Sequence, residues 1–122
     1  MISEFEWIDN NAHVTFGADL SLADINQADE KIFGDLRFDL MKYAIFDFSN
    51  IQKLNITKEE AQIIGILDRS SNIWYRSIRI AIITTNIELM ELSEVYRTNL
   101  MGSKWTVRIF IDFEAALKWC NS

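Results

Sequence analysis

Polar side chains that could take part in chemistry follow two apolar runs of the chain. One run ends in Asp47 and Ser49, and the next ends in Thr85 and Asn86. If both runs are parallel strands, these residues meet at the carboxyl edge of a sheet, where open α/β sheets usually bind ligands. Carboxylate, hydroxyl and amide oxygens there could hold a hard cation or exchange protons. The four residues are therefore the candidate ligand-binding positions.

Residues of this kind also have a purely structural interpretation. Asp47 and Asp112 each follow an apolar run, where a carboxylate commonly caps a turn or a helix. Ser49 lacks a partner for nucleophilic catalysis, because the single histidine, His13, belongs to a predicted N-terminal hairpin. No glycine-rich loop follows a strand, and the single Cys120 cannot build a metal site. We therefore expect no catalytic residues, no metal site and no cofactor.

Thr57 carries a further hydroxyl that could act chemically. Glu60 follows it by three residues. This spacing is typical of a capping box, in which the threonine hydroxyl bonds to the helix's own N–H groups. The sequence therefore predicts that Thr57 begins a helix.

Composition excludes several classes of function. A chain of 122 residues with 49% hydrophobic and 25% charged residues fits one globular domain, residues 1–122. Its net charge of −6 opposes nucleic-acid backbones and anionic lipid. No apolar run approaches the roughly 20 residues that span a bilayer. We expect a cytoplasmic protein with no nucleic-acid partner and no integral membrane association.

The periodicity of apolar residues predicts the order of the elements. Residues 4–9 and 13–18 alternate and predict a hairpin with an Asn-containing turn. Downstream, apolar strands alternate with amphipathic helices, which indicates right-handed crossovers in a mainly parallel sheet. The predicted strands cover residues 41–49, 77–85 and 104–111, and the helices begin at Ser21, Thr57, Ile87 and Asp112. The predicted fold class is α/β, with a mixed, mainly parallel sheet of about five strands and about four helices in the order β-β-α-β-α-β-α-β-α.

Apolar spacing also predicts which helix faces are buried. The second helix should bury one face that is widened by two further isoleucines, and the third helix should bury a face of its own and end near Gly102. The predicted inward residues are Ala61, Ile63, Ile64, Ile66 and Leu67 in the second helix, and Leu89, Leu92, Tyr96 and Leu100 in the third.

The connection after the second helix contains a possible contact surface. Trp74, Tyr75 and Arg76 stand together there, and aromatic and Arg side chains are favoured at interface hot spots. A connection is also difficult to bury fully. We define these three residues as the candidate interaction patch. Its partner is an unknown protein or a second copy of the chain in a homodimer.

Four segments carry a resemblance to a known family. They are GADLSLADI (17–25), AIFDFSNI (44–51), IRIAIITTN (78–86) and VRIFIDFEAALKWC (107–120). In this order they resemble STAS domains, and more closely the small bacterial SpoIIAA-like, or STAS/SEC14-type, proteins. The resemblance covers about Ala18 to the C-terminus and implies a STAS/SpoIIAA-like sheet.

The resemblance also bears on regulation by phosphorylation. In regulatory STAS antagonists, an Asp-Ser-Ser run begins the helix after this strand, and its first serine takes a phosphate from a partner kinase. The matching residues here are Asn55, Ile56 and Thr57. Isoleucine has no hydroxyl, so no phosphosite is expected, and Thr57 is the only substitute position.

Two functions follow from the resemblance together with the missing catalytic constellation. The first is a non-catalytic SpoIIAA-like domain that acts by protein-protein interaction, without the usual serine phosphoswitch. The alternative is a carrier or sensor of a lipid-like apolar small molecule held between the sheet and its helices, as the SEC14-type relatives imply. A small hydrolase that uses strand-end carboxylates is the third interpretation.

Overall fold

A mixed, mainly parallel sheet forms the centre of the fold. The computed structural model describes residues 1–70 and 76–122. The strands are β1 (Ile2–Ile8), β2 (Asn11–Phe16), β3 (Asp19–Ser21), β4 (Tyr43–Asp47), β5 (Lys53–Asn55), β6 (Ile78–Ile83) and β7 (Trp105–Phe110). The helices are α1 (Leu22–Phe33), α2 (Lys58–Ser70), α3 (Ile87–Asn99) and α4 (Phe113–Cys120), and a short 3-10 helix spans Leu36–Leu40.

The central sheet has five strands in the order β1-β2-β4-β6-β7. Strands β1 and β2 are antiparallel, and every later neighbour pairs in parallel. This confirms the predicted fold class and the predicted order of its main elements. A second, two-stranded parallel sheet, formed by β3 and β5, was not predicted, because each strand has only three residues.

The N-terminal hairpin turns at Asp9 and Asn10. Both residues have positive φ, at 50° and 66°, which is the geometry of the tight two-residue turns that match the twist of a hairpin. Ile8 therefore pairs directly with Asn11. The predicted hairpin is confirmed. Its second strand begins two residues before the predicted range 13–18, because only two residues form the turn, and its first strand begins at Ile2, two residues before the predicted range 4–9.

Both faces of the sheet are covered by helices. The strand order advances in one direction across β2, β4, β6 and β7, so crossovers of one hand place their helices on the same face. Residues of α1, α2 and α3 accordingly pack over Phe46, Phe48, Ile80 and Ile82. Helix α4 covers the opposite face, where Ala116 and Cys120 pack with Ile45 and Ile83.

Capping side chains determine where α1 and α2 begin. Asp24 Oδ2 accepts a hydrogen bond from the backbone N–H of Ser21 at 2.9 Å. At α2, Thr57 Oγ1 accepts from the N–H of Glu60 at 3.1 Å, and Glu60 Oε1 accepts from the N–H of Thr57 at 2.9 Å. The predicted capping box is confirmed, so the Thr57 hydroxyl serves the helix start.

The prediction for the buried face of α2 is wrong in part. Ala61, Gly65 and Asp68 are buried, whereas Ile63, Ile66 and Leu67 are more than half exposed. Gly65 explains the difference, because it lies against α3. A Cβ atom at position 65 would stand 2.7 Å from the Asn99 Cβ and 3.0 Å from the Tyr96 carbonyl oxygen. Only a glycine allows this approach, and it turns Asp68 inward.

The prediction for α3 agrees with the structure at its inward face. Leu89 and Leu100 are buried, and Leu92 and Tyr96 pack partly buried against the core. The helix itself ends at Asn99. Gly102 lies in the turn that follows, where its φ of +92° suits glycine.

We expect Gly65→Ala to destabilise the protein by about 1 to 3 kcal/mol, as overpacking does. Alanine has a higher helix propensity than glycine by about 1 kcal/mol, so helix propensity alone would stabilise the variant. A lower free energy of unfolding must therefore come from the contact with α3. Gln62→Ala, at an exposed position of the same helix, is the matched control. Urea denaturation measures both free energies of unfolding. Equal stability of the two variants would contradict the close contact.

Candidate functional site

The predicted ligand-binding residues at the end of β4 form a turn. Asp47 Oδ1 accepts hydrogen bonds from the backbone N–H of Ser49 at 2.9 Å and from its hydroxyl at 2.6 Å. The Phe48 N–H continues the sheet by donating to the Ile83 carbonyl at 2.9 Å. The Asp47 carboxylate and the Ser49 hydroxyl therefore bond to each other.

The corresponding residues after β6 begin α3. Asn86 Oδ1 accepts from the N–H of Leu89 at 2.9 Å, and Thr84 Oγ1 accepts from the N–H of Asn86 at 3.0 Å. Thr85 is exposed beside them. At the end of β7, Asp112 caps α4 by accepting from the Ala115 N–H at 2.8 Å. The strand-end oxygens thus act as caps, and a ligand at this edge stays a prediction.

His13 lies on the sheet face that α4 covers. Its Nε2 is 3.3 Å from the Tyr43 hydroxyl, and its ring centroid is 6.0 Å from that of Phe113. Burial lowers the pKa of His13 below its ordinary value. Within residues 1–70 and 76–122, no three potential metal-ligating side chains come together.

The candidate interaction patch is described only at Arg76. Trp74 and Tyr75 lie outside the described residues. The guanidinium of Arg76 lies 4.9 Å from the centre of the Phe38 ring, a cation–π contact within the chain. The patch as a partner surface stays a prediction.

A cavity lies between the sheet and helices α1, α2 and α3. Its volume is about 70 Å³, and its floor is formed by Phe46, Phe48, Ile80 and Ile82. The remaining walls are mostly apolar: Leu20, Ile25, Ile56, Ala61, Ile64, Leu89 and Leu92, with Asp29, Asp68, Ser93 and Tyr96 as the polar members. Ile56, at the position of the switch serine in the family pattern, is therefore part of an apolar wall.

Three polar side chains, one from each helix, form one end of this cavity. The Tyr96 hydroxyl donates to Asp68 Oδ2 at 2.7 Å. Asp29 lines the same cavity and interacts electrostatically with Asp68. We call Asp29, Asp68 and Tyr96 the carboxyl cluster.

Burial changes the acidity of the cluster. Desolvation, with the nearby Asp68 charge, raises the pKa of Asp29 to about 8. Desolvation raises the pKa of Asp68 to about 6, against the opposing effect of the Tyr96 hydrogen bond. Such shifts in a cleft are typical of functional sites, because a buried charge without a partner costs free energy.

A smaller cavity adjoins the carboxyl cluster. It measures about 10 Å³, and Asp29, Asp68 and Tyr96 belong to its lining together with Trp105. Trp105 is only 6% exposed, and its indole Nε1 has no hydrogen-bond acceptor among the described residues. The cluster therefore adjoins a buried donor that the described part of the chain leaves unpaired.

The carboxyl cluster was missed in the sequence, although a signal was present. Asp29 follows Ile25 by four residues, and Asp68 follows Ala61 by seven, so both fall on faces that bury apolar residues. A carboxylate at a core-facing helical position is unusual, because Asp is almost never fully buried without a partner. This mismatch was the available signal.

Comparison with known proteins gives a fold. No protein-family model matches the chain, and no curated protein matches it. Among solved structures, the chain is similar to an uncharacterized protein of the DUF3478 family with a SpoIIAA-like fold, from Shewanella loihica PV-4. The two share 15% identity with a TM-score of 0.58, over 98% of this chain and 92% of that one. The chain has a SpoIIAA-like fold.

The resemblance seen in the sequence is thereby confirmed at the level of fold. The cavity lies beneath the three helices of one sheet face, and the strand-end positions Asp47, Ser49, Thr85 and Asn86 are not among its lining residues. Among the described residues, no helix has the length and apolar character needed to cross a membrane.

The chemistry available in the cavity is binding and proton exchange. A carboxyl group with a pKa near neutrality can give or take a proton at physiological pH. The Ser93 hydroxyl, a possible nucleophile, donates to the Leu89 carbonyl at 2.7 Å. The described lining thus offers an apolar surface and an acidic end, which are the features of a small-molecule site.

We expect the free energy of unfolding of the natural chain to fall as pH rises, because Asp29 must ionise inside the protein. The Asp29→Asn variant should not show this part of the fall. Folded Asp29 keeps its proton up to about pH 8, whereas the unfolded carboxyl loses it near its ordinary pKa of 3.8. Rising pH across this window therefore favours unfolding of the natural chain, and asparagine cannot ionise. By pH 9 the variant should be more stable than the natural chain by a few kcal/mol, to order of magnitude.

Urea denaturation at pH 5, 7 and 9 measures this effect. Glu30→Gln, at an exposed position of the same helix, is the control and should follow the natural chain. His13 is present in all three proteins, so its titration cancels in the comparison. A difference between the Asp29→Asn variant and the natural chain that is constant with pH would contradict the buried carboxyl.

Proposed function

We propose that this SpoIIAA-like domain binds a small apolar molecule in the cavity beneath α1, α2 and α3 and catalyses no reaction. The observation that supports the proposal is the cavity itself, which combines apolar walls with one polar end. This is the usual composition of a ligand pocket, where apolar area supplies affinity and a few polar groups orient the ligand. The proposal takes the carrier or sensor interpretation ahead of protein interaction.

The size of the cavity limits what it holds. At about 70 Å³ it has roughly half the volume of a cavity of about 150 Å³ that binds benzene, so it holds a short aliphatic group. Several lining residues, among them Ile25, Ile64 and Leu92, are only partly buried. A longer ligand therefore places one end in the cavity and extends between the helices toward solvent.

We expect butan-1-ol to bind in the cavity with a dissociation constant of about 1 mM. This corresponds to about 4 kcal/mol, well inside the ceiling of about 7.5 kcal/mol that five non-hydrogen atoms at about 1.5 kcal/mol each could reach. An ¹H–¹⁵N NMR titration should show saturable shifts at amides around the cavity, such as those of Phe46 and Leu92. Ile64→Trp fills the cavity and should abolish these shifts.

Gln62→Trp is the matched control, because it adds the same side chain at an exposed position of α2. It should bind butan-1-ol as the natural chain does. Uniform, non-saturating shifts, or equal binding by the Ile64→Trp and Gln62→Trp variants, would refute the cavity as the binding site.

A second candidate function is protein-protein interaction, the first interpretation from the sequence. Ile63 and Ile66 on the outer side of α2 are 51% and 52% exposed. Exposed apolar side chains that adjoin on a helix are common at contact surfaces. In this proposal a second copy of the chain covers them in a homodimer, without the serine phosphoswitch.

We expect Ile63→Glu to shift a homodimer toward monomer, because a charge at an apolar interface must be desolvated. Sedimentation velocity across a range of protein concentrations measures the association. Gln62→Glu adds the same charge one residue away and serves as the control. A natural chain that is monomeric at every concentration would rule out self-association.

A further inference from the structure

The carboxyl cluster contains two acids that form no ion pair among the described residues. Asp29 comes from α1, Asp68 from α2 and Tyr96 from α3, and the strand residues beneath them, Phe46 and Ile80, carry no charge. The ion pairs among the described residues join other groups: the N-terminus with Asp24, Arg37 with Asp35, and Arg97 with Glu94.

The basic residues nearest in sequence have other surroundings. Arg69, which follows Asp68, is exposed, and its guanidinium lies beside Gly102. Lys31 places its ammonium 5.5 Å from the centre of the Phe5 ring, and Arg76 lies over Phe38. Residues 71–75, of sequence SNIWY, contain no basic side chain. Within the described chain, a positive charge for Asp29 and Asp68 is therefore not supplied.

The adjoining indole is a second, independent sign of a missing partner. Trp105 is buried, lines the small cavity beside both carboxyls and has no acceptor for its Nε1–H among the described residues. A buried donor without an acceptor costs about 1 to 3 kcal/mol. The two acids and the indole therefore line the same small cavity.

We propose that the ligand of the apolar cavity is an aliphatic amine, whose ammonium group is bound by Asp29 and Asp68 while its alkyl chain lies on the apolar walls. This inference rests on the proposed function and adds the charge of the ligand. An ammonium group has three donors, enough to bond to both carboxylates. An amine with a neighbouring hydroxyl would in addition offer an acceptor to Trp105.

A positively charged ligand would account for two carboxyl groups among mostly apolar lining residues. An anionic ligand would bring a further negative group beside the two acids, and a neutral one would supply no counter-charge when Asp29 ionises. The ammonium favours the ionised form of both carboxyls, so Asp29 releases its proton to solvent when the amine binds. Affinity for the amine should therefore increase as pH rises toward the pKa of Asp29.

Three ligands with the same four-carbon chain test the proposal: butylamine, butan-1-ol and sodium butanoate. NMR titrations of the full chain in amine-free buffer at pH 6 and pH 8.5 measure the dissociation constants. We expect butylamine to bind at least about tenfold more tightly than butan-1-ol at pH 8.5, since a hydrogen bond to a charged group contributes about 1.5 to 3 kcal/mol. Butanoate should not bind measurably.

Asp29→Asn separates the charge from the cavity. In this variant the preference for butylamine over butan-1-ol should fall about tenfold, and most of the pH dependence of butylamine binding should disappear. Glu30→Gln removes a carboxylate from the exposed side of α1 and should leave both affinities unchanged.

The outcomes distinguish the two proposals. Binding of butan-1-ol with no preference for butylamine overturns the amine and leaves the apolar site. Absence of binding by all three ligands overturns both. If the Asp29→Asn variant still prefers butylamine to butan-1-ol, the ammonium group binds elsewhere. That result overturns the role of Asp29.

Discussion

The contact between α2 and α3 at Gly65 is the constraint on which the candidate site depends. The face of α2 that contains Gly65 packs on α3. The two helices are so close there that a Cβ atom at position 65 would stand 2.7 Å from the Asn99 Cβ. Helix α2 therefore packs mainly on α3 and only lightly on the sheet. The space left above Phe46 and Ile82 is the cavity, and the same rotation of α2 brings Asp68 to the Tyr96 hydroxyl.

The carboxyl cluster stands against the ordinary rules of core composition. Position 68 is buried and position 29 is half-buried, and apolar side chains are the usual occupants of such positions. Natural sequences depart from local rules chiefly at functional or strained sites. The polar residues Asp29, Asp68 and Tyr96 come from three helices and line one cavity. They are stronger evidence for a ligand site than the strand-end residues are.

Local chemistry made much of the fold predictable from sequence. Capping boxes lie within four residues, the hairpin turn lies in two, and apolar runs of strand length identify β4 and β6. The rotation of α2 was not predictable in this way. Its apolar residues occupy two overlapping faces, and the choice between them depends on Asn99, more than thirty residues away. The carboxyl cluster follows from that choice, so the site was missed together with the rotation.

The loop before α2 links the cavity to the position of the missing phosphorylation switch. Ile56 contributes to the apolar wall, and Thr57, the next residue, holds the start of the helix through Glu60. In the family pattern these positions carry hydroxyls that a kinase can reach, whereas here one side chain faces the cavity and the other bonds to the helix. A ligand that contacts Ile56 acts on the same helix start that a phosphate would alter. Packing in the cavity and capping of α2 are therefore carried by neighbouring residues of one loop.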